Sequence, residues 1–438
     1  MAIQNFPAAL QPMIQQGFLE REFQDGLESV LAYRQAAQRE SFAVNIGETL
    51  TKTRPGLKAP VTTPMSASGN TNLDNGLTPS TWTIEQYTLT LAQYGDTIDL
   101  NTVTNKVGIK DQFLQNAKAN GIQAAQSLDR IARNRLFASY DAGASRVRVT
   151  LGSPAATISV DDITGFRNVL VNGVPTPISS GNPLPVMVGS NVYQLQAVAA
   201  DGSNVSTAFN GVSGTMTFTT NVTVADGTAL NAVVSSYAPT ILRPNGRSHT
   251  QALVGTDLFT MSIVLDAVAQ LRSNAVPPIN GMYNVHLDPR SARQLFADPD
   301  FKLLFQGQDA SREFRMGRVI ELLDCRFIPT TEAPVTAHPS VAGLNVRRPI
   351  VCGDGALIEG DFAGMADQDI PVDSEVNEVD GVVQVVRPPL DRLQQIIAQS
   401  WYWIGDFTCP TDFTVNTSIV PTASLSYFKR AVVIEHAG

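Results

Sequence analysis

Residues Tyr283–Gly307 read YNVHLDPRSARQLFADPDFKLLFQG, and residues Phe314–Glu332 read FRMGRVIELLDCRFIPTTE. The alternation over Met282–Leu287 predicts a strand, which Asp288-Pro289 ends. Two short helices rich in Leu and Phe should follow, and then a strand led by glycine. The segment contains no catalytic motif, so its pattern indicates an α/β scaffold element and not a reactive centre.

Bulk composition limits the class of protein. The chain has 438 residues with 43% hydrophobic content and a net charge of −9, enough for two or three domains with sizeable cores. An acidic balance argues against a protein that wraps nucleic acid with a basic face, although it permits one that encloses it. The three cysteines, Cys325, Cys352 and Cys409, are too sparse for a disulfide framework and fit a reduced compartment. Cys325 and Cys352 are expected to be small buried hydrophobes.

The N-terminal half changes character several times. Within residues 1–50, Gln24–Ala43 has apolar spacing of three and four, which predicts helical pieces in an extended arm. Thr51–Pro79 is rich in Pro, Gly and Asn, and strand-like sequence resumes after it, so a long two-stranded arm is expected. Residues Ile109–Tyr140 contain no Pro and keep a helical apolar stripe, which predicts one helix of roughly 45 Å. Nothing resembles a signal peptide or a membrane-spanning stretch.

The second half begins with a long β-rich stretch. Arg146–Leu242 has few charges, and its short β-runs are separated by Asp-Gly, Asn-Gly and Ser-Gly turns, which predicts an inserted β-barrel or sandwich. One short helix is expected at Asp161–Val171. A further helix is predicted over Asp257–Leu271, a β-rich stretch over 350–385, and strands in the two C-terminal segments. Trp401 and Trp403 should face a core and Tyr402 the other side of a strand.

Several phrases together resemble one known family. They are GLTPSTWTIEQYTLTLAQYGDTIDL (76–100), AAQSLDRIARNRLFA (124–138), GMYNVHLDPRSARQLFADPDF (281–301) and RFIPTTE (326–332). In this order they resemble the major capsid protein of tailed bacteriophages, whose shell fold is shared with herpesvirus capsids and encapsulins. The resemblance covers roughly 45–145 and 245–438, and residues 146–242 look like an insertion specific to one lineage.

The resemblance implies an α+β fold and a division of labour along the chain. The expected parts are an N-terminal arm (1–50), an extended loop (51–98), a spine helix of the peripheral domain (99–145), an inserted β-rich domain (146–242), an axial domain (243–385) and C-terminal strands of the peripheral domain (386–438). It also implies a shell of pentamers and hexamers around double-stranded DNA, inside a virion assembled in the bacterial host cytoplasm. The implied partners are copies of the chain itself, a scaffolding protein, a portal and a decoration or cement protein, with no membrane and no cofactor.

Ring-shaped assemblies need two different complementary faces on each subunit. Charged residues in the loop and in the axial segment are the candidates for such inter-subunit contacts, since opposed charges set register. These candidates are Lys52, Arg54, Lys58, Arg312, Arg315, Arg318, Asp367, Asp369, Asp373 and Glu375, with Glu378 and Asp380 continuing the acidic group. Solvated surface charge is the equally simple alternative.

Catalytic signatures were sought and are absent from the sequence. No P-loop, dinucleotide-binding, HExxH or GxSxG motif occurs, so no catalytic, cofactor-binding or metal-binding residue is assigned. His286 is expected to be a structural histidine. In one branch of the family that the chain resembles, a loop Lys forms an isopeptide bond with an Asn, and a Glu promotes the reaction. Lys52, Lys58 and Asn416 lie in suitable regions, but no motif identifies the Lys, the Asn and the Glu of such a site.

Two other functions stay open at this point. An encapsulin-like bacterial compartment has the same fold, and the content of the particle, DNA or protein, would separate it from a phage head. A β-rich hydrolase or carbohydrate-binding protein would be monomeric. The barrel segment has only five aromatic residues, Phe166, Tyr193, Phe209, Phe218 and Tyr237, which is a thin supply for sugar stacking.

Overall fold

The structure is a computed structural model of the whole chain. It describes residues 32–42, 49–58, 60–62, 84–101, 112–163, 165–171, 174–201, 213–247, 250–306, 321–338, 341–362, 375–387, 389, 392–393, 395–410, 412–415, 418–421 and 426–438. Helices and strands are both well represented in these residues, so the α+β class is confirmed.

A six-stranded sheet, called the spine sheet here, draws its strands from both halves of the chain. Its order is β1-β20-β23-β22-β21, with β4 paired along β23. The strands are β1 (Ala37–Phe42), β4 (Ala92–Asn101), β20 (Leu357–Phe362), β21 (Glu375–Val379), β22 (Val382–Arg387) and β23 (Ile396–Thr408). The 13-residue β23 is the longest strand described and carries partners on both edges. Trp401 and Trp403 on it are buried and Tyr402 is half-buried, as predicted.

One long helix packs on the spine sheet. Helix α1 (Gln112–Tyr140) has 29 residues, about 43 Å at the usual helical rise, which confirms the predicted spine helix. Its inward stripe includes Ala124, Ala125 and Ala132 beside Leu128 and Leu136, all fully buried. Small alanines let the helix backbone approach the bulky Trp side chains of the sheet, so shape complementarity fixes its position.

In the described residues of the arm, the predicted secondary structure is wrong. Helical pieces were expected over Gln24–Ala43, but Arg34–Ala36 forms one 3₁₀ turn and Ala37–Phe42 is a strand, β1. The strand runs parallel to β20, with Ala37 opposite Leu357. Pairing with a strand some 320 residues further along the chain outweighs a local helical pattern because a short isolated helix is marginal in water. The remainder of that range lies outside the described residues.

The predicted two-stranded arm is present. Strand β2 (Thr49–Pro55) pairs antiparallel with β3 (Ile84–Thr90) along their whole length, from Thr49 opposite Thr90 to Pro55 opposite Ile84. Residues 63–83 between the strands lie outside the described part of the chain. Strand β4 follows β3 after one residue and enters the spine sheet, so the hairpin is attached directly to the main body.

The inserted segment forms a closed barrel. Its sheet order is β5-β12-β9-β10-β11-β6, from β5 (Ala144–Arg146), β6 (Ala155–Val160), β9 (Leu184–Val188), β10 (Asn191–Ala200), β11 (Gly214–Val222) and β12 (Ala232–Ser235). The edges meet because Val147 bridges Val160 and the Arg148 N–H donates to Ser159 O at 2.8 Å. The predicted helix at Asp161–Val171 is wrong: its end is strand β7 (Asn168–Val171), which pairs with β8 (Val174–Pro177).

The stretch from Tyr283 to Glu332 contributes β14, β15 and β16 to a second six-stranded sheet. Its order is β13-β26-β19-β14-β16-β15, from β13 (Ile241–Leu242), β14 (Tyr283–Leu287), β15 (Glu321–Leu322), β16 (Cys325–Pro329), β19 (Ile350–Cys352) and β26 (Ala431–Ile434). All five residues of β14 are buried, and its neighbours run parallel (β16) and antiparallel (β19). Helix α2 (Met261–Ser273) packs against β26 and β19.

The two short helices predicted after β14 are present, and each begins at an Asp-Pro pair. Asp288 caps α3 (Pro289–Ala297) by accepting from the Arg290 N–H at 3.0 Å. Asp298 precedes α4 (Pro299–Gln306); one carboxylate oxygen accepts from Asp300 N–H at 3.2 Å, and the other accepts from Met261 N–H, at the start of α2, at 2.8 Å. An Asp before a Pro suits this position, since the Pro lacks the N–H that the first helical turn leaves unpaired.

The sheets of the second half cut across the predicted domain boundaries, and the division itself stays a prediction. Strands β20, β21 and β22 were expected in the axial segment 243–385, but they belong to the spine sheet. Conversely, β26 was expected among the peripheral strands and lies in the second sheet. The chain therefore crosses between the two sheets twice after β19, a feature that local patterns do not encode because pairing is a long-range property. Cys325, Cys352 and Cys409 are buried, and none of them forms a disulfide.

Smaller elements complete the description. A three-stranded sheet joins β17 (Val335–Ala337), β18 (Asn345–Arg347) and β27 (His436–Ala437), and a hairpin joins β24 (Asp412–Val415) to β25 (Ser418–Pro421). Short 3₁₀ turns occupy Pro244–Gly246, Thr250–Ala252 and Ser426–Phe428. None of the described helices combines the length and the apolar character needed to cross a membrane.

Candidate assembly interface

The base of the β2–β3 hairpin is tied to the arm strand by charge. Glu40 on β1 accepts from the Tyr87 hydroxyl at 2.9 Å and forms an ion pair with the Lys52 ammonium. Lys52 is therefore engaged inside its own chain. Its predicted role as an inter-subunit contact stays a prediction, and it requires the ammonium to be shared with or released from Glu40.

The outer part of the hairpin exposes apolar side chains. Leu57 is 55% exposed, Val61 87% and Ile84 46%. Lys58, one of the predicted contact residues, is exposed between Leu57 and Val61 in the chain. Apolar side chains clustered near the end of a projecting element, with a charge among them, are typical of a contact surface. The hairpin thus carries a mixed apolar and basic end that its own subunit leaves uncovered.

The arm is held to the spine helix by one carboxylate. Asp129 on α1 accepts hydrogen bonds at its Oδ1 from three consecutive backbone N–H groups, at 3.0 Å from Ala32, 2.7 Å from Tyr33 and 3.3 Å from Arg34. Burial raises the pKa of Asp129, and the three donors act against that shift by favouring the anion. This arrangement fixes the point at which the arm enters the main body.

A buried ionic network holds Arg34 of the arm. Arg34 is 5% exposed and forms a bidentate pair with Glu359 on β20, which is 1% exposed; the shortest contact is 2.6 Å. Arg34 also pairs with Asp380 at 2.9 Å, and Arg39 pairs with the same carboxylate at 2.5 Å. Two arginines thus lie between two carboxylates, so the buried charges are mutually neutralised.

The arm also contacts the second sheet through aromatic packing. The Tyr33 ring stacks on the His286 ring of β14, with centroids 4.9 Å apart. His286 is fully buried, and burial lowers its pKa to about 3. The imidazole is accordingly neutral at physiological pH. Both ring nitrogens are buried without a hydrogen-bond partner among the described residues, so the structural histidine with satisfied hydrogen bonds that the sequence predicts is not what is found.

A second buried network lies where the spine helix gives way to the barrel. Arg348 pairs with Glu435 at 2.8 Å and with Asp141 at 3.8 Å, and Arg243 pairs with Glu435 at 2.7 Å. Burial raises the pKa of Asp141 to about 6. Burial opposes the charged form of Glu435 too, but Arg243 and Arg348 outweigh it and hold the pKa of Glu435 at about 2. Where the barrel joins the rest of the fold, these ion pairs therefore connect the end of α1 with the segments that contain Arg243, Arg348 and Glu435.

Lys52 and Arg54 lie on β2 and Lys58 follows that strand, and the other predicted contact residues fall into three groups in the structure. Arg312, Arg315, Arg318, Asp367, Asp369 and Asp373 lie outside the described residues, as does Asn416 of the isopeptide alternative. Glu375 is the first residue of β21, and Glu378 on the same strand is exposed. Asp380 pairs with Arg34 and Arg39 of its own chain and so helps to hold the arm; its role in contacts between copies stays a prediction.

Sequence reasoning missed the residues that anchor the arm. Asp129, Arg34 and Glu359 each sit in a stretch interpreted by its apolar spacing or β character. The available signal was a charged residue on the buried face of a predicted helix, since Asp129 directly follows Leu128 in the inward stripe of α1. Its partners are 95 to 97 positions away in the chain, so the sequence alone could not have identified them.

Comparisons with known proteins give structural matches only. No protein-family model matches the sequence, and no curated protein does. Among solved structures, the chain is similar to the capsid of Cyanophage P-SCSP1u (10% identity, TM-score 0.47, covering 93% of this chain and 89% of that one). It is similar to the capsid of Ralstonia phage GP4 (10%, TM-score 0.47, 92% and 87%) and to the Cyanophage Pam1 capsid (10%, TM-score 0.47, 90% and 86%). TM-scores of this size do not by themselves establish a shared fold.

Proposed function

We propose that this chain is a structural subunit of a phage head, which self-assembles into the pentamers and hexamers of an icosahedral shell. The carrying observation is the order of parts in one chain. An anchored arm strand, a projecting hairpin, a 29-residue helix on a sheet and a second sheet with Asp-Pro helices follow one another, and they coincide with the family phrases quoted from the sequence. On that basis we assign an arm (1–50), an extended loop (51–98), a spine (99–145), an insertion (146–242) and the axial parts.

The described surface supports contact between copies of the chain. The hairpin has partners along its base but presents Leu57, Lys58 and Val61 outward. A projecting element of this kind provides one of the two different faces that a closed ring requires. The other face is assigned to the segment around 312–318 and 367–375. The subunit then acts by geometry and association, without a catalytic step.

The shell is further proposed to enclose double-stranded DNA without sequence-specific binding. A net charge of −9 suits a wall that must not hold densely packed DNA, since phosphates are attracted to basic surfaces. A scaffolding protein, a portal and a decoration or cement protein are the partners proposed for assembly, which would take place in the host cytoplasm before the chain becomes part of the virion.

The test is size-exclusion chromatography of the full chain, expressed alone and with its scaffolding protein, followed by negative-stain microscopy of any large fraction. Closed shells, rings or tubes are the expected result. A folded chain that stays monomeric under both conditions would refute the proposal. Nuclease-protected DNA inside particles from infected cells would distinguish a phage head from a compartment filled with protein.

A further inference from the structure

Two arginines from distant parts of the chain meet at one turn. Arg54 lies on β2, Arg430 directly precedes β26, and Gly355 lies in the turn between β19 and β20. A Cβ built on Gly355 would lie 2.9 Å from Arg430 Nη1 and 3.3 Å from Arg54 Nη1. Gly355 has a φ of 68°, so the turn itself favours glycine. The two guanidinium groups therefore approach the same point beside this turn, a point that a side chain at position 355 would occupy.

Neither guanidinium has a carboxylate partner among the described residues. Arg54 Nη1 and Arg430 Nε are covered and make no hydrogen bond there. Arg430 Nη1 donates to the Asp354 carbonyl at 2.8 Å, and the other contacts are aromatic: Arg54 lies 5.8 Å from the Tyr87 ring centroid and Arg430 4.5 Å from that of Tyr427. Burial, and then the charge of Arg430, lower the pKa of Arg54.

This pair is unlike the other buried arginines described. Arg34 has Glu359 at 2.6 Å, and Arg348 has Glu435 at 2.8 Å. Arg347 likewise pairs with Asp288. Two like charges removed from water repel each other and lose hydration. The charge of Glu40 acts on Arg54 in the opposite sense, but Glu40 is itself paired with Lys52. An anion between them would supply both the missing charge and acceptors for the unpaired N–H groups.

We propose that Arg54 and Arg430 form a binding site for an oxyanion of the carboxylate or phosphate type. Guanidinium groups bind both through paired N–H donors. Arg430 is 6% exposed and supplies the fixed half of the site, and Arg54 on the hairpin supplies the half nearer the surface. The Gln38 Oε1 atom lies 3.3 Å from the same Cβ position, so this exposed side chain must rotate its amide to turn the NH₂ group, and not the oxygen, toward the ligand.

Two sources can supply that chemistry. One is a free phosphate-type anion from solution, and the other is a carboxylate of a second copy of this chain. The second source rests on the proposed shell function, since Arg54 belongs to the hairpin assigned to contacts between copies. The first source depends on this chain alone, and the two are separated by measuring the free chain and the assembled particle independently.

The first measurement uses inorganic phosphate on the unassembled full chain. At about 10 mM phosphate, compared with chloride at equal ionic strength, the unfolding midpoint should rise by about 1–2 °C. Arg54→Gln should weaken phosphate binding by about 10-fold or more, because it removes one charged donor pair. Arg326→Gln, an exposed arginine whose ion-pair contact is 3.9 Å, is the matched control and should respond as the wild type does.

The second measurement repeats the titration on assembled particles. If a carboxylate of another copy fills the site, particles should lose the phosphate response, and Arg54→Gln should lower particle yield several-fold. If the anion comes from solution, free chain and particles should respond alike. Arg54→Lys keeps the charge without the planar fork and should give an intermediate response, which also covers the case in which Arg54→Gln does not fold.

The proposal is overturned if the free wild-type chain shows no phosphate response and Arg54→Gln assembles normally. It is also overturned if Arg54→Gln and Arg326→Gln respond to phosphate to the same degree as the wild type. Failure of the shell proposal is seen separately: the chain would form no particles while phosphate binding by the free chain persisted.

Discussion

The barrel and the arm are held in place by opposite means. The barrel closes on itself through strands that all lie within residues 144–235, around its own apolar core, which includes Val186, Leu195 and Phe218. The described part of the arm, residues 32–42, adds Tyr33 and Ala36 to the core around α1 and pairs with β20. It is also fixed by hydrogen bonds and ion pairs of Asp129 and Arg34, whose partners are 95 to 346 positions distant. Apolar burial within one segment makes a part self-sufficient, whereas an element fixed by partners distant in the chain depends on the rest of the fold.

Breaking the arm's ionic anchor should have the largest effect on stability. Arg34→Ala leaves Glu359, which is 1% exposed, without its closest partner, and an unpaired buried charge costs about 3–5 kcal/mol. Urea unfolding of the unassembled chain measures the change. Arg34→Met with Glu359→Met removes both charges and should recover most of the loss. A single-variant loss below about 1 kcal/mol would mean that the network is not what holds the arm.

The barrel should respond to damage independently of the rest. Phe218 is 1% exposed and contacts Tyr193 with ring centroids 5.9 Å apart, so Phe218→Ala should cost about 3–4 kcal/mol through the cavity it leaves. Two-probe unfolding, following the barrel tyrosines and the spine-sheet tryptophans separately, should show only the barrel transition moving. Equal shifts in both transitions would contradict the self-sufficiency of the barrel.

The same difference explains which parts of the fold could be predicted from the sequence alone. The spine helix, the Asp-Pro helices and the β-rich insertion were predictable because their signals are local: a three-to-four spacing, an Asp-Pro cap and turn dipeptides. The arm strand β1 was interpreted as helical because its partner, Leu357–Phe362, is chosen by the fold. For the same reason the placement of β20–β22 and β26, and the meeting of Arg54 with Arg430, could not be read from spacing.

The barrel should also have its own sensitivity to acid. Burial disfavours the charged form of Asp226, but hydrogen bonds from Asn191, Tyr193, Ser190 and Thr223 outweigh it and lower the pKa of Asp226 to about 2. A lowered pKa contributes stability above the unfolded value near pH 4, and this contribution, about 2 kcal/mol, is lost as pH falls toward 2.

Asp226→Asn tests this acid sensitivity. The variant should be less stable at neutral pH, and its barrel transition should change less between about pH 4 and 2 than that of the wild type. Chemical unfolding monitored at the barrel tyrosines across this range gives both quantities. Parallel pH profiles for the two proteins would show that another group governs the acid response of the barrel.

The smallest expected effect on stability separates two roles of Lys52. Its ion pair with Glu40 is partly exposed, 29% and 19% for the two side chains, so Lys52→Gln should cost the free chain less than about 1 kcal/mol. If Lys52 also contacts a neighbouring copy, the same variant should lower particle yield well beyond this small loss. Arg148→Gln, which removes a partly exposed pair with Asp201 in the barrel, is the matched control. Equal yields for both variants would leave Lys52 with its intrachain role alone, while a deficit confined to Lys52→Gln would assign the base of the hairpin to the contact between copies.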